Sequence, residues 1–179
     1  MGKIVSNFFI SLDGVVEAPN EWHFPYWSDE MGDAVGGGMA TTEAMLMGRV
    51  LYEEWAAYWP TSTDEPVASM FNDMKKFVVS STLEEATWKN TTIVRGHAAE
   101  IRAIADGLEG DLALSGSPTL VRWLLANGLV DELRLLVHPL VVGDRKRLFE
   151  GEATHPLQLT KSETFSTGVL NLTYVPAEA

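Results

Sequence analysis

Cysteine is absent from this 179-residue chain, which removes disulfides, thiolate metal sites, iron–sulfur ligation and cysteine nucleophiles together. Basic residues are scarce as well: 13 Lys and Arg face 25 Asp and Glu, for a net charge of -12. That balance argues against nucleic-acid partners, whose phosphates reward Lys and Arg by counterion release. It leaves room for an anionic small molecule held by one local, amide-lined pocket. No apolar run approaches the ~20 residues of a membrane span. The most apolar tract, residues 133–142, is interrupted by Arg134, His138 and Pro139. The opening Met1-Gly2-Lys3-Ile4-Val5-Ser6-Asn7 lacks the basic start and long apolar region of a secretory signal, so a cytoplasmic location is expected, with no membrane partner. Also missing are a G-x-x-x-x-G-K-[ST] phosphate loop, a G-x-S-x-G nucleophile elbow and a G-x-G-x-x-G fingerprint after the first strand. His23, His97, His138 and His155 form no pair at helical ligand spacing, and no metal site is expected.

What is present suits a packed domain. Apolar residues make up 46% of the chain, and six Trp, seven Phe and four Tyr are spread along it, a composition that disordered acidic segments do not have. Residues 3–10 read as a first strand too continuously apolar for one exposed face, hence central in its sheet. Ser28 is placed to cap a helix opened by Asp29 and Glu30, which Gly36-Gly37-Gly38 should end or bend. Short strands follow at 44–47, 77–80, 91–95 and 111–115, with helices at 50–58, 67–74, 98–107 and 118–127. Pro118 at a first turn and Gly128 just past an end sit where each is favoured. A strand at 132–138 and a hairpin at 157–163 and 169–175 close the chain. Strands alternating with helices, then terminal strands, predict one α/β domain over 1–179, with a mainly parallel sheet and an antiparallel edge.

Three strand-to-helix junctions are candidates for chemistry. At Leu46-Met47-Gly48-Arg49 a strand ends in glycine and an arginine opens the next helix, offering free N–H groups and a cation to a phosphate. At Ser115-Gly116-Ser117-Pro118-Thr119-Leu120 the glycine permits close approach of a pyrophosphate to backbone at a helix start. At Val79-Ser80-Ser81-Thr82 hydroxyls leave the end of a strand. Glycine and serine also end strands and cap helices with no ligand in view. Three such junctions together fit a parallel sheet, which binds ligands beyond its strand C-termini. The segment Trp22-His23-Phe24-Pro25-Tyr26-Trp27-Ser28-Asp29-Glu30 offers aromatic walls for a flat heterocycle and a carboxylate beside them, or else a loop stapled to the core by large side chains.

With Ser11-Leu12-Asp13-Gly14, Leu46-Met47-Gly48-Arg49, Val78-Val79-Ser80-Ser81-Thr82-Leu83, Gly116-Ser117-Pro118-Thr119-Leu120 and Leu129-Val130-Asp131-Glu132-Leu133 in that order, the chain resembles the bacterial dihydrofolate-reductase-like family. More closely, it resembles the branch grouped with the C-terminal reductase domain of RibD, the riboflavin-biosynthesis protein. The resemblance implies a mixed, mainly parallel sheet of about eight strands with flanking helices and an antiparallel C-terminal hairpin. It implies a reductase that transfers a hydride from NADPH to a small heterocycle, pterin-like or riboflavin-precursor-like. Gly48, Arg49, Ser80, Ser81 and Gly116, Ser117, Pro118, Thr119 and Leu120 would hold the cofactor. The nicotinamide would lie near Ser11–Gly14, the substrate against Trp22, Phe24 and Trp27, and the catalytic carboxylates would be Asp13 and Asp29. The chain departs from the family pattern in places. Ser81 stands where a basic residue is common, which leaves NADH open beside NADPH, and Leu51 stands where a hydroxyl is usual. Trp27 occupies the acidic substrate position, with Asp29 two residues on. A non-catalytic nucleotide-binding module is the alternative reading. The strand 133–137 and the final hairpin could serve a homodimer or simply face their own helices.

Overall fold

The computed structural model describes residues 1–151 and 153–177. Eight strands form one sheet: β1 (Ile4–Ser11), β2 (Thr42–Gly48), β3 (Lys75–Val79), β4 (Thr91–Val94), β5 (Asp111–Leu114), β6 (Glu132–His138), β7 (Leu157–Thr164) and β8 (Leu170–Pro176). Their order is β4-β3-β2-β5-β1-β6-β8-β7. The first six run parallel, and β8 and β7 add antiparallel pairs at one edge. β1 is central, as its β-prone and largely apolar run predicts, with β5 and β6 as neighbours. The expected eight strands and five helices are all found, with ends displaced by a few residues.

Period-two alternation divides the strands between two helical layers. Ile4, Phe8 and Ile10 join the largest core, beneath α4 (Ala98–Asp106) and α5 (Pro118–Ala126). Phe9, on the opposite face, packs with Met31 and Val35 of α1 (Asp29–Thr41). Met45 and Met47 of β2 share that second face with Tyr52 and Trp55 of α2 (Arg49–Tyr58) and Phe71 of α3 (Val67–Asp73).

One expectation is corrected. α1 does not end at Gly36-Gly37-Gly38 but runs through them to Thr41. Each interior glycine costs about 1 kcal/mol relative to alanine. Both ends of the helix are held from outside that weak stretch. Ser28 Oγ accepts from the Met31 N–H at 3.2 Å, and the hydroxyls of Thr41 and Thr42 both donate to the Gly38 carbonyl, at 3.1 and 2.9 Å. Glu30 ties the first turn to the β7–β8 hairpin by accepting from the backbone N–H and hydroxyl of Ser166.

β3 is fixed by a buried cation. The Lys76 ammonium donates to the carbonyls of Phe71, Asn72 and Met74 at 2.7, 3.2 and 2.7 Å, and lies 4.2 Å from the centre of the Trp88 ring. Burial, with Lys89 nearby, pulls its pKa down to about 8. The carbonyls at the end of α3 and the ring favour the charged form. This clamp sets the register from which Ser80 leaves the strand.

Candidate nucleotide and substrate site

The three junctions chosen from the sequence end three consecutive strands, β3, β2 and β5, on one edge of the sheet. The β2–α2 and β5–α5 turns are bonded to each other: the Gly48 N–H donates to Ser117 Oγ at 2.9 Å. Gly116 has φ +133°, and a Cβ there would stand 3.0 Å from Leu51, so the turn needs glycine. Ser117 follows in the left-handed region at φ 58° and puts Pro118 at the first turn of α5. Neither α2 nor α5 has a side-chain cap. The first backbone N–H groups of a helix have no partner within it. Those of Arg49, Val50 and Leu51, and of Thr119 and Leu120, therefore open onto one shelf. The positive ends of two helix dipoles meet there. Such an arrangement binds an anion without a lysine-bearing phosphate loop, and it fits the diphosphate of a dinucleotide.

The third junction is finished differently. Ser80 is buried, and its Oγ accepts from the N–H groups of Thr82 and Leu83 at 3.2 and 2.9 Å, so its hydroxyl closes the turn. Ser81 is exposed beside it. The sequence reading missed Arg95, the first residue beyond β4. Its Nη1 donates to the carbonyls of Ser80 at 2.8 Å and Leu83 at 3.2 Å, bracing the turn that carries Ser81. Arg49 is exposed and donates to both carboxylate oxygens of Glu53, at 3.0 and 2.9 Å. The signal for Arg95 was available: Val94-Arg95-Gly96 ends a strand with an arginine and a glycine, as Met47-Gly48-Arg49 does.

At the end of β1 the polar groups are committed to structure. Asp13 accepts from the Ser11 hydroxyl and from the N–H groups of Val142 and Gly143 at 3.1 and 3.0 Å, and Arg147 lies 3.9 Å away. The Ser11 hydroxyl, then the Val142 amide, hold its pKa down to about 2. Asp13 is a carboxylate that joins two loops. Asp29 is exposed in the first turn of α1, with no hydrogen bond from its side chain to a described residue.

The aromatic segment follows a 3-10 turn at Pro19–Glu21 and carries another at Phe24–Tyr26, and its rings separate by exposure. Trp22 is 8% exposed, whereas Phe24 and Trp27 are 63% and 47% exposed. Trp22 helps to build a box around His138, which is fully buried. The rings of Trp22, Phe9, Tyr26 and His23 stand edge-on to His138 at 5.2, 5.7, 5.7 and 6.2 Å between centroids. Burial pulls both imidazoles below the usual histidine pKa, His138 adding to the effect on His23. Trp22 is thus a wall of the core, and Phe24 and Trp27 are the aromatic surfaces left open.

Between α1 and the sheet runs a crevice of about 100 Å³, lined by Asn7, Phe9, Val35, Met39, Arg134 and Leu136 among others. Ser115, the residue before the Gly116 turn, also lines it, so crevice and shelf share a border. No group of three or more potential metal ligands occurs among the described residues. No helix among them is long and apolar enough to cross a membrane.

A mainly parallel eight-stranded sheet with an antiparallel C-terminal edge and an anion-receptive shelf at its strand ends defines the dihydrofolate-reductase-like class. The fold of dihydrofolate reductase from Enterococcus faecalis, solved with NADP(H), matches with a TM-score of 0.67 at 15% identity, over 99% of this chain and 98% of that one. A putative riboflavin biosynthesis protein from Shewanella sp. PV-4 matches with a TM-score of 0.78 at 19% identity, over 98% and 99% of the two chains. Within that class the chain belongs to the RibD C-terminal domain family, whose sequence profile matches residues 2–171. A relative from Bacillus subtilis strain 168, the uncharacterized protein YyaP, is 28% identical over 178 residues, covering 96% of this chain and 94% of the relative. A pyrimidine reductase-like protein from Corynebacterium diphtheriae shares the fold as well, with a TM-score of 0.66 at 12% identity over 99% of this chain and 93% of that one.

Proposed function

We propose that the protein is an NADPH-dependent reductase acting on a small pterin-like or riboflavin-precursor-like heterocycle. The observation that carries this reading is the shelf, where the Gly48–Ser117 bond joins two uncapped helix starts at neighbouring parallel strand ends. The cofactor's diphosphate would rest on the N–H groups of residues 49–51 and of Thr119 and Leu120. Ser81 with Arg49 and Arg95 would meet the adenosine 2′-phosphate. The bound dinucleotide would supply the hydride. The chain's own part is to orient the two reactants, exclude water and keep the site on a rigid sheet edge. Phe24 and Trp27 offer ring faces to a flat substrate at the mouth.

Titration of NADPH against intrinsic tryptophan fluorescence tests the reading. Saturable quenching in the micromolar range is expected, and none at millimolar cofactor would sink it. A second reading, nucleotide binding without turnover, draws on one observation: Asp13 is tied to two backbone amides, and Asp29 stands exposed on α1. Tight NADPH binding with no cofactor oxidation across pterin, flavin-precursor and quinone panels favours that alternative.

A further inference from the structure

The floor of the crevice under α1 carries a donor and an acceptor, Arg134 Nη1 and Asn7 Oδ1, that the other described residues leave unpaired. Asn7 on β1 and Arg134 on β6 are cross-strand neighbours in register. The Asn7 side chain makes no hydrogen bond to any described residue. Arg134 donates from Nε and Nη2 to Glu132 at 2.9 and 2.6 Å, and Nη2 lies 3.8 Å from Asp111, which leaves Nη1 free among the described residues. Lys3 also pairs with Glu132, so two cations and two carboxylates cancel around the floor. A phosphate or carboxylate gains less from a guanidinium whose charge is already paired, whereas a neutral polar edge finds a donor and an acceptor side by side.

The helix above is cut back at the matching place. A Cβ on Gly38 would stand 3.7 Å from Arg134 Nη1 and 4.0 Å from Asn7 Oδ1. Glycine at a position that costs about 1 kcal/mol of helix stability therefore keeps the space over these two groups open. Phe9, Val35, Met39 and Leu136 supply apolar walls, that of Phe9 a flat ring. Pockets that enclose a whole ligand run to roughly 300–1,000 Å³. A crevice of about 100 Å³ seats one ring edge instead.

We propose that this floor holds the lactam edge, –NH–C(=O)–, of a flat, uncharged heterocycle, with Asn7 Oδ1 accepting the ring N–H and Arg134 Nη1 donating to the ring carbonyl. The inference rests on the reductase reading and names its substrate class. Ser115 at the border directs the far edge of the ring toward the shelf, and any charged substituent of the substrate lies outside the crevice. A ligand without the N–H leaves Asn7 unpaired beneath it, the kind of mismatch by which polar sites reject analogues.

The test uses the full chain, with lumazine (pteridine-2,4-dione) as probe, in isothermal titration calorimetry with and without NADPH. Lumazine binding is expected, and 1,3-dimethyllumazine, which lacks both ring N–H groups, should bind at least about tenfold more weakly, the loss of one buried hydrogen bond. Gly38→Leu should lower lumazine affinity by about tenfold or more while leaving the melting temperature equal or higher, because a good helix former replaces glycine. NADPH affinity should not change. Asn7→Leu gives the same binding result through the floor instead of the helix, should Gly38→Leu fail to fold. No lumazine binding by the native chain, or equal binding by both variants and by the dimethyl probe, overturns the inference. Loss of NADPH binding alone, with the lumazine pattern intact, would sink the reductase reading and leave the crevice assignment standing.

Discussion

The ends of β2 and β5 and the ends of β1 and β6 lie along the same edge of one sheet and are finished in opposite ways. At β2 and β5 the turns are glycine-bearing, the helix starts are uncapped, and backbone donors face outward. At β1 and β6 the polar groups are turned inward: Asp13 collects amides from the 140–143 loop, and His138 is sealed among four rings with its Nδ1 against the Leu136 carbonyl. A polar residue at a strand end becomes a binding group only where the neighbouring backbone has not claimed it first. Residue type alone does not distinguish the two outcomes. A serine closes its own turn at Ser80, and another bonds a neighbouring turn at Ser117.

Three measurements sharpen or break that contrast, from the largest effect to the smallest. Trp22→Ala should lower stability by about 3–5 kcal/mol, the usual cost of emptying a buried indole site, and leave NADPH affinity within about twofold. A variant that melts normally but loses substrate binding would make the box a ligand site and erase the distinction. Acid titration comes next. His23 and His138 have folded pKa values below the unfolded value of about 6.5, so the unfolded chain binds protons that the folded chain refuses. Stability should then be highest above about pH 6.5 and fall below it, by up to about 1.4 kcal/mol per pH unit for each histidine. Urea melts between pH 8 and 5 read this slope directly, and a flat profile would mean that solvent reaches the box. The smallest effect belongs to the strand-end arginines. Arg95→Ala should weaken NADPH by about tenfold, one charge-assisted contact, and NADH by less than twofold. Arg49→Ala should do less, because Glu53 already shares that charge. Equal losses for both cofactors would show that neither arginine reads the 2′-phosphate.

Much of this was legible along the chain. Ile4, Val5, Phe8, Phe9 and Ile10, apolar on both faces of β1, announced a central strand. Pro118 and Gly128 marked the ends of α5 within two residues. Gly48 and Gly116 marked turns whose strands prove adjacent. The length of α1 was not legible, because a run of three glycines argues locally for an end. The caps that carry the helix through them involve Ser28, Thr41 and Thr42, and the anchor at Glu30 comes from Ser166, far along the chain. The bracing role of Arg95 was not legible because its partners, Ser80 and Leu83, lie in the turn that follows the neighbouring strand β3. Trp22 and Trp27 were both read as substrate walls, and the difference in burial depends on distant contacts: Trp22 packs against His138 of β6 and donates to the Glu17 carbonyl, whereas Trp27 is left half open.

The sequence by itself determined the parallel α/β order, the positions of the turns and the family, because these rest on local periodicity and on what proline and glycine do to the backbone. It also set the scarcity of cations that makes each strand-end arginine count. The tertiary structure decided which polar groups remain available, since a hydrogen bond between residues 30 and 166 or 13 and 142 exists only once distant strands have paired. It likewise opened the crevice over Asn7 and Arg134, which are separated by more than a hundred residues and become one floor only when β1 and β6 lie side by side.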